Sequence, residues 1–225
     1  MTKPSCKVGG LSSGRRGVPD SSHASGGDSR VRGAVRSRMS GMSAALDRLV
    51  DDLQREFQRD ARAPGASALL SSYARAHEDW RPFGFYDAQR YTRHQIARNA
   101  DFELLVLCWG IGQASPIHNH EGQNCWMAVL DGEIDELQYR WTSGSAPVLT
   151  REMRFPRGEV AFIRDEIGLH VVRSRPGTLA ASLHVYAKPY DACNVYCERT
   201  GDVTRKSLGY DSIRGKRVAA AAGTR

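Results

Sequence analysis

Leu46, Leu49, Val50, Leu53 and Phe57 recur at intervals of three, four and seven, with Asp47, Asp51, Arg55 and Arg59 between them. That spacing lays a single apolar stripe along an α-helix, with Ser43 placed as its N-cap. Pro64–Gly65 interrupts the pattern, and a second, shorter helix is expected from Ser67 to about His77. Both helices read as packing elements. From about Arg90 the texture changes to short apolar runs separated by turns. Residues 102–108 (FELLVLC) predict a buried strand. Residues 125–130 and 133–139 flank Asp131–Gly132, a two-residue hairpin signal. In 133–139 the apolar residues Ile134, Leu137 and Tyr139 interleave imperfectly with charges, so one face is expected to be wet. Further strands fit 148–154, 159–163, 168–173 and 179–187, with turns at Pro156–Gly158 and Arg175–Gly177. Two helices followed by eight or more strands predict a mainly β fold, a jelly roll or barrel with a small N-terminal helical layer.

Residues 1–40 lack this patterning. They hold nine Ser, seven Gly and two Pro, a composition unable to bury enough apolar surface to offset its ordering entropy. We expect a disordered basic tail at 1–40, with Met39 or Met42 as an alternative start, a folded domain at 41–200, and a second basic tail at 201–225. Charge follows the same division. The formal net charge of +7 is +6 over residues 1–40, −4 over 41–198 and +5 over 199–225. A nucleic-acid partner would thus be a matter for the tails and not the fold, and none is expected. No apolar run approaches the ~18–20 residues that span a bilayer, so no membrane association is expected. Nor is a signal peptide visible. The five cysteines at 6, 108, 125, 193 and 197 lack the spacing of a disulfide framework, which predicts a reduced, cytoplasmic setting.

The chemistry concentrates in 115–125, SPIHNHEGQNC. On a strand, residues i and i+2 share a face, so His118 and His120 would lie roughly 6–7 Å apart at Cα and converge on one metal. His170, in the strand-like run IGLHVV, is the candidate third ligand. Imidazole suits iron, zinc, copper and nickel alike, and a three-histidine site also describes a zinc hydratase. Spacing leaves the metal open.

Six blocks in order narrow the choice: YTR at 91–93, CWG at 108–110, SPIHNHEGQNC at 115–125, LDGEIDE at 130–136, IGLHVV at 167–172 and SLHVYAKPYDAC at 182–193. Together, over roughly 43–200, they resemble the thiol dioxygenases of the cupin superfamily, and among them the cysteine dioxygenases. The resemblance implies a cupin jelly-roll β-barrel with Fe2+ held by His118, His120 and His170. It implies that Arg93 and Tyr91 bind the substrate carboxylate, and that Ser182, His184 and Tyr186 form a hydrogen-bonded relay ending at an active-site phenol. Cys125 matches the cysteine that, in the animal enzymes, forms a thioether with that tyrosine, so a Cys125–Tyr186 cross-link is implied. Asn119 stands where animal enzymes usually carry Asp.

The implied reaction takes L-cysteine and O2 to cysteine sulfinic acid, a step of cysteine catabolism, and a monomer is expected. The thiolate is the form that binds a metal, and guanidinium grips a carboxylate with two parallel hydrogen bonds. Relatives acting on 3-mercaptopropionate generally have glutamine at the place of Arg93, which favours cysteine here. A non-catalytic metal-binding cupin sensor is the rival from another class, and a zinc-dependent hydrolase a third option. Cys108, Cys193 and Cys197 read as structural, and Trp109 and Trp126 as packing.

Overall fold

Strand β2 (Phe102–Trp109) is buried at every position, because both of its faces are covered. Phe102, Leu104, Val106 and Cys108 pack on one side against two helices, α1 (Ala44–Arg59) and α2 (Ala66–Ala76). Leu105, Leu107 and Trp109 point the other way, into a second apolar cluster with Ile134 and Val172. This is why the sequence shows a continuous apolar run there and not an alternation. Each fully buried Leu or Phe in such a layer contributes about 1.5–3 kcal/mol, and the apolar stripe of α1 supplies Leu46, Leu49, Leu53 and Phe57, all buried.

The computed structural model describes residues 44–218. The strands preceding the first apolar cluster and following it are β1 (Thr92–Arg98), β3 (Ile117–His118), β4 (Asn124–Asp131), β5 (Glu133–Arg140), β6 (Val148–Pro156) and β7 (Val160–Ile163). Then come β8 (Leu169–Ser174), β9 (Ala180–Ala187), β10 (Ala192–Tyr196), β11 (Val203–Ser207), β12 (Ser212–Ile213) and β13 (Lys216–Arg217). They form a seven-stranded sheet, β13-β12-β1-β2-β9-β4-β7, and a six-stranded sheet, β11-β10-β3-β8-β5-β6. The mainly β jelly roll with an N-terminal helical layer is therefore observed. The strands expected between 102 and 187 fall within two residues of their observed ends. Among the described residues no helix is long and apolar enough to cross a membrane.

Four expectations need correction or completion. Asp131–Gly132 is a corner and not a hairpin: β4 pairs with β7 and β9, whereas β5 pairs with β6 and β8. Gly132 has φ +68° and lies so close to the chain that a Cβ would come within 2.3 Å of Leu179 O. The wet face expected on β5 is buried, because Asp135 is paired with Arg154 at 2.9 Å and Glu136 faces inward onto a histidine. The basic segment beyond 200 is not a tail through residue 217. Val203–Ser207 pairs with β10, and Ser212–Ile213 adds to β1 as a parallel strand. These strands are short and polar, so they carry no apolar alternation; backbone hydrogen bonding at the sheet edges forms them. Lastly, α1 is capped from a distance, with Asp79 Oδ2 accepting from the N–H groups of Ala45 and Leu46 at 3.1 Å each. Ser43, the expected tail at 1–40 and the start sites Met39 and Met42 lie outside the described residues.

Candidate metal centre

His118 sits in β3 directly opposite His170 of β8. Opposed residues on antiparallel neighbours share a face with Cβ atoms about 4.5–5.5 Å apart, and the two ring centroids lie 4.6 Å apart. His120 arrives differently from the expectation. The strand stops at His118, and His120 is placed by a carboxylate clamp: Asp165 Oδ1 accepts from His120 N (2.6 Å) and Oδ2 from Gly122 N (2.8 Å). Its ring centroid lies 5.2 Å from that of His118 and 4.7 Å from that of His170.

One ring nitrogen from each of the three histidines lies within 4.8 Å of the others. Nδ1 of His118 meets Pro116 O at 2.9 Å, and Nδ1 of His170 meets Glu136 Oε1 at 2.7 Å. Each therefore keeps Nε2 for an ion. His120 is fully buried, and among the described residues neither of its ring nitrogens has a hydrogen-bond partner. Leaving a buried polar atom unpaired is costly, and a cation at the convergence point would engage one of these two nitrogens. Burial, followed by the neighbouring His170, pushes the pKa of His118 down to about 3; His120 is held well below the ordinary histidine value by burial and then by His170. Neutral imidazole is the ligating form. The residues present thus fit a mononuclear metal with no protein carboxylate in its immediate shell. Glu136 orients His170 from behind, as carboxylates do at histidine-bound metals.

A small cavity beside the histidines is lined by Tyr91, Arg93, Trp109, Ser115, His118, His170, His184 and Tyr186, with Leu107 and Val172 as its apolar wall. Arg93 and Tyr91 are brought there by the start of β1. Tyr91 stacks on Trp109 with centroids 4.6 Å apart. Alternation along β9 turns Ser182, His184 and Tyr186 to the same interior face, and all three are buried. Trp109 is more than a packing residue: its indole N–H donates to Ser182 Oγ at 2.9 Å. Ser182 Oγ lies 2.8 Å from His184 Nε2, and His184 Nδ1 lies 3.3 Å from Tyr186 Oη. An indole can only donate, and among the described residues the Ser182 hydroxyl has His184 Nε2 as its one acceptor, so one arrangement of hydrogens satisfies Ser182 and His184 together. Ser182 donates to Nε2, Nδ1–H donates to Tyr186 Oη, and the phenol hydrogen is left for the cavity. Burial, and next the neighbouring Cys125, holds the phenol well above its ordinary pKa, so it stays protonated. Cys125 of β4 is the direct register partner of Tyr186, and both are buried.

All of the expected site residues therefore converge on one end of the interior. Glu136, Asp165 and the Trp109 hydrogen bond were not foreseen. Glu136 stood within a marked block, but nothing local separated it from Glu133 and Asp135.

Fold and site together define a jelly-roll protein with a three-histidine site for one metal ion. The family model for cysteine dioxygenase type I matches residues 36–199. The chain is 32% identical to cysteine dioxygenase type 1 of Danio rerio over 181 residues, covering 77% of this chain and 89% of that protein. It is 32% identical to the Homo sapiens protein of the same name over 67% of this chain and 78% of that one. An RmlC-like cupin protein from Desulfovibrio desulfuricans aligns over 48% of this chain and 91% of its own, at 24% identity and a TM-score of 0.37. The chain belongs to the cysteine dioxygenase type I family, and it is an enzyme of the dioxygenase class.

Proposed function

We propose that this protein oxidises L-cysteine with O2 to cysteine sulfinic acid, using ferrous iron held by His118, His120 and His170. The observation that carries the reading is the fully buried His120, whose ring nitrogens make no hydrogen bond among the described residues, set beside His118 and His170, which line one small cavity with Arg93. When bound, iron held by His118, His120 and His170 would supply the positive charge that favours a thiolate and the redox chemistry that activates dioxygen. The chain supplies the rest. Arg93 and Tyr91 grip the substrate carboxylate and so fix where its sulfur lies. The Trp109–Ser182–His184 relay holds the Tyr186 hydroxyl hydrogen toward the bound molecule, where it can donate to the developing charge on oxygen. The apolar wall of Leu107 and Val172 excludes water from the sulfur. Cys125 and Tyr186 would form the thioether that the resemblance implies, and their opposition in the sheet supports that reading. The enzyme so read is a cytoplasmic monomer whose partners are L-cysteine and O2, with no nucleic-acid or membrane partner.

Oxygen uptake with iron-loaded protein, with mass spectrometry of the product, tests this. L-cysteine should drive uptake and gain two oxygen atoms, and a higher specificity constant for 3-mercaptopropionate would overturn the substrate assignment. No uptake with any small thiol would leave a non-catalytic metal-binding protein.

A further inference from the structure

Arg93 is not held by its own strand alone. The segment Gly209–Ser212 runs beside β1, and it lies beyond residue 199, where the match to the family model ends. Asp211 N donates to Arg93 O at 2.7 Å, and Arg93 N donates to Asp211 Oδ2 at 2.9 Å. Arg93 Nε donates to Gly209 O at 3.2 Å. The same Asp211 carboxylate, its side chain 13% exposed, accepts from both Nη atoms of Arg90. Between these contacts Tyr210 turns its hydroxyl inward to Glu103 Oε1 and Arg98 Nη1. Glu103 is 1% exposed and lies in register with Tyr186. One strand, Ser212–Ile213, then anchors the segment parallel to His94–Gln95, with Ser212 Oγ 2.9 Å from His94 Nδ1.

We infer that Gly209–Asp211 is the positioning element of the substrate-binding arginine, and that Asp211 is its principal residue. Asp211 clamps the backbone of Arg93 on both its N–H and its C=O, which sets the direction in which the side chain leaves β1. The Gly209 carbonyl then occupies Nε–H. What remains for a ligand is the outer edge of the guanidinium, Nη1 and Nη2, so a carboxylate is gripped end-on. A free arginine samples many rotamers, and one already fixed loses less freedom on binding. Asp211 makes no hydrogen bond to the three histidines and reaches the site through Arg93, while its carboxylate also pairs with Arg90 at the surface. In naming L-cysteine as the ligand, the inference rests on the function proposed above; the positioning of Arg93 does not.

The test uses full-length Asp211→Ala and Asp211→Asn in two measurements. In metal-free protein labelled with [15N]arginine, the Nε–H resonance of Arg93, assigned by its loss in Arg93→Lys, should shift or broaden in Asp211→Ala. In the iron-loaded enzyme, Asp211→Ala should raise KM for L-cysteine about tenfold while kcat changes by less than about twofold, the pattern of lost binding without lost chemistry. Asp211→Asn keeps an oxygen acceptor for Arg93 N and should be intermediate in both. An unchanged Nε–H resonance together with an unchanged KM overturns the inference. So does a parallel fall in kcat and iron content in both variants, which would mean that Asp211 merely maintains the fold. If wild type consumes no oxygen with L-cysteine, the functional reading fails, and the resonance alone decides whether Asp211 positions Arg93.

Discussion

His170 and Glu136 meet at 2.7 Å with side chains 3% and 1% exposed, and this pair shows how much of the metal centre depends on groups that are not ligands. The Glu136 carboxylate fixes which His170 nitrogen carries hydrogen and where the other points. Glu136→Ala should weaken metal binding about 10–100-fold, measured by competition with a chelator. Glu136→Gln, which retains an acceptor for Nδ1–H, should lose less. Cys125 poses a different residue-scale question. Burial, and next the Glu136 charge, raises its pKa, so the resting thiol is neutral and no thiolate waits to attack the ring of Tyr186. Joining Cys125 Sγ to a ring carbon of Tyr186 removes the S–H and a ring C–H hydrogen, a two-electron oxidation, so a thioether needs the dioxygen of turnover as its oxidant. Wild type isolated after turnover should run as two bands on a denaturing gel, and Cys125→Ser as one, with activity lowered only in part. Peptide mapping that finds no linked species in wild type would exclude the cross-link.

At the scale of elements, the corner at Gly132 decides which sheet each half of the chain joins. β4 completes the seven-stranded sheet that carries Cys125, and β5 enters the other sheet, bringing Glu136 behind His170. A hairpin there would have put both strands into one sheet and separated Glu136 from the metal centre. The left-handed φ of Gly132 and the close Leu179 carbonyl allow no side chain. Gly132→Ala should therefore destabilise the protein by about 1–3 kcal/mol or more, read as a lowered midpoint in chemical unfolding. A variant as stable as wild type would show that the corner relaxes freely. The same turn is where local reading failed. Asp-Gly between apolar runs is a strong hairpin signal, but the choice between hairpin and corner is made by β7, β9, β6 and β8, which occupy both edges of each strand.

For the whole molecule, the interior that shelters the site also makes folding sensitive to acid. His94 is fully buried between Ser212, Thr92 and the Phe85 carbonyl, and burial first of all lowers its pKa. His184 is held well below its ordinary value by burial and then by the Arg93 charge. Neither is a metal ligand, and both are neutral in the folded state. The unfolded chain takes up protons near the ordinary histidine pKa of about 6.5, before the native state does. Stability from these two residues is therefore complete above that pH and is lost as pH falls below it toward the folded values. Metal-free protein should unfold more easily in urea at pH 5.5 than at pH 7.5, and His94→Asn should flatten part of that slope. A profile equal at both pH values would contradict the assignment of neutral, buried histidines.

What the sequence alone determined was local. The apolar stripe of α1, the two-faced apolar run of β2 and the His-x-His pair each show in neighbouring residues, because burial and ligation at short range leave a periodic or spaced pattern. Ordered blocks placed Arg93, Ser182, His184, Tyr186 and Cys125 in one site, and the structure brings all of them together. Tertiary structure decided what depends on pairing at a distance: Asp165 clamping His120 from 45 residues away, Trp109 directing the relay from 73 residues away, and Asp211 holding Arg93 from 118 residues away. A lone aspartate, tryptophan or basic strand has no distinctive neighbours, so only the sheet register reveals its partner. The three-histidine cluster was thus readable from spacing and resemblance, whereas the groups that orient those histidines and Arg93 became visible only once the chain had closed on itself.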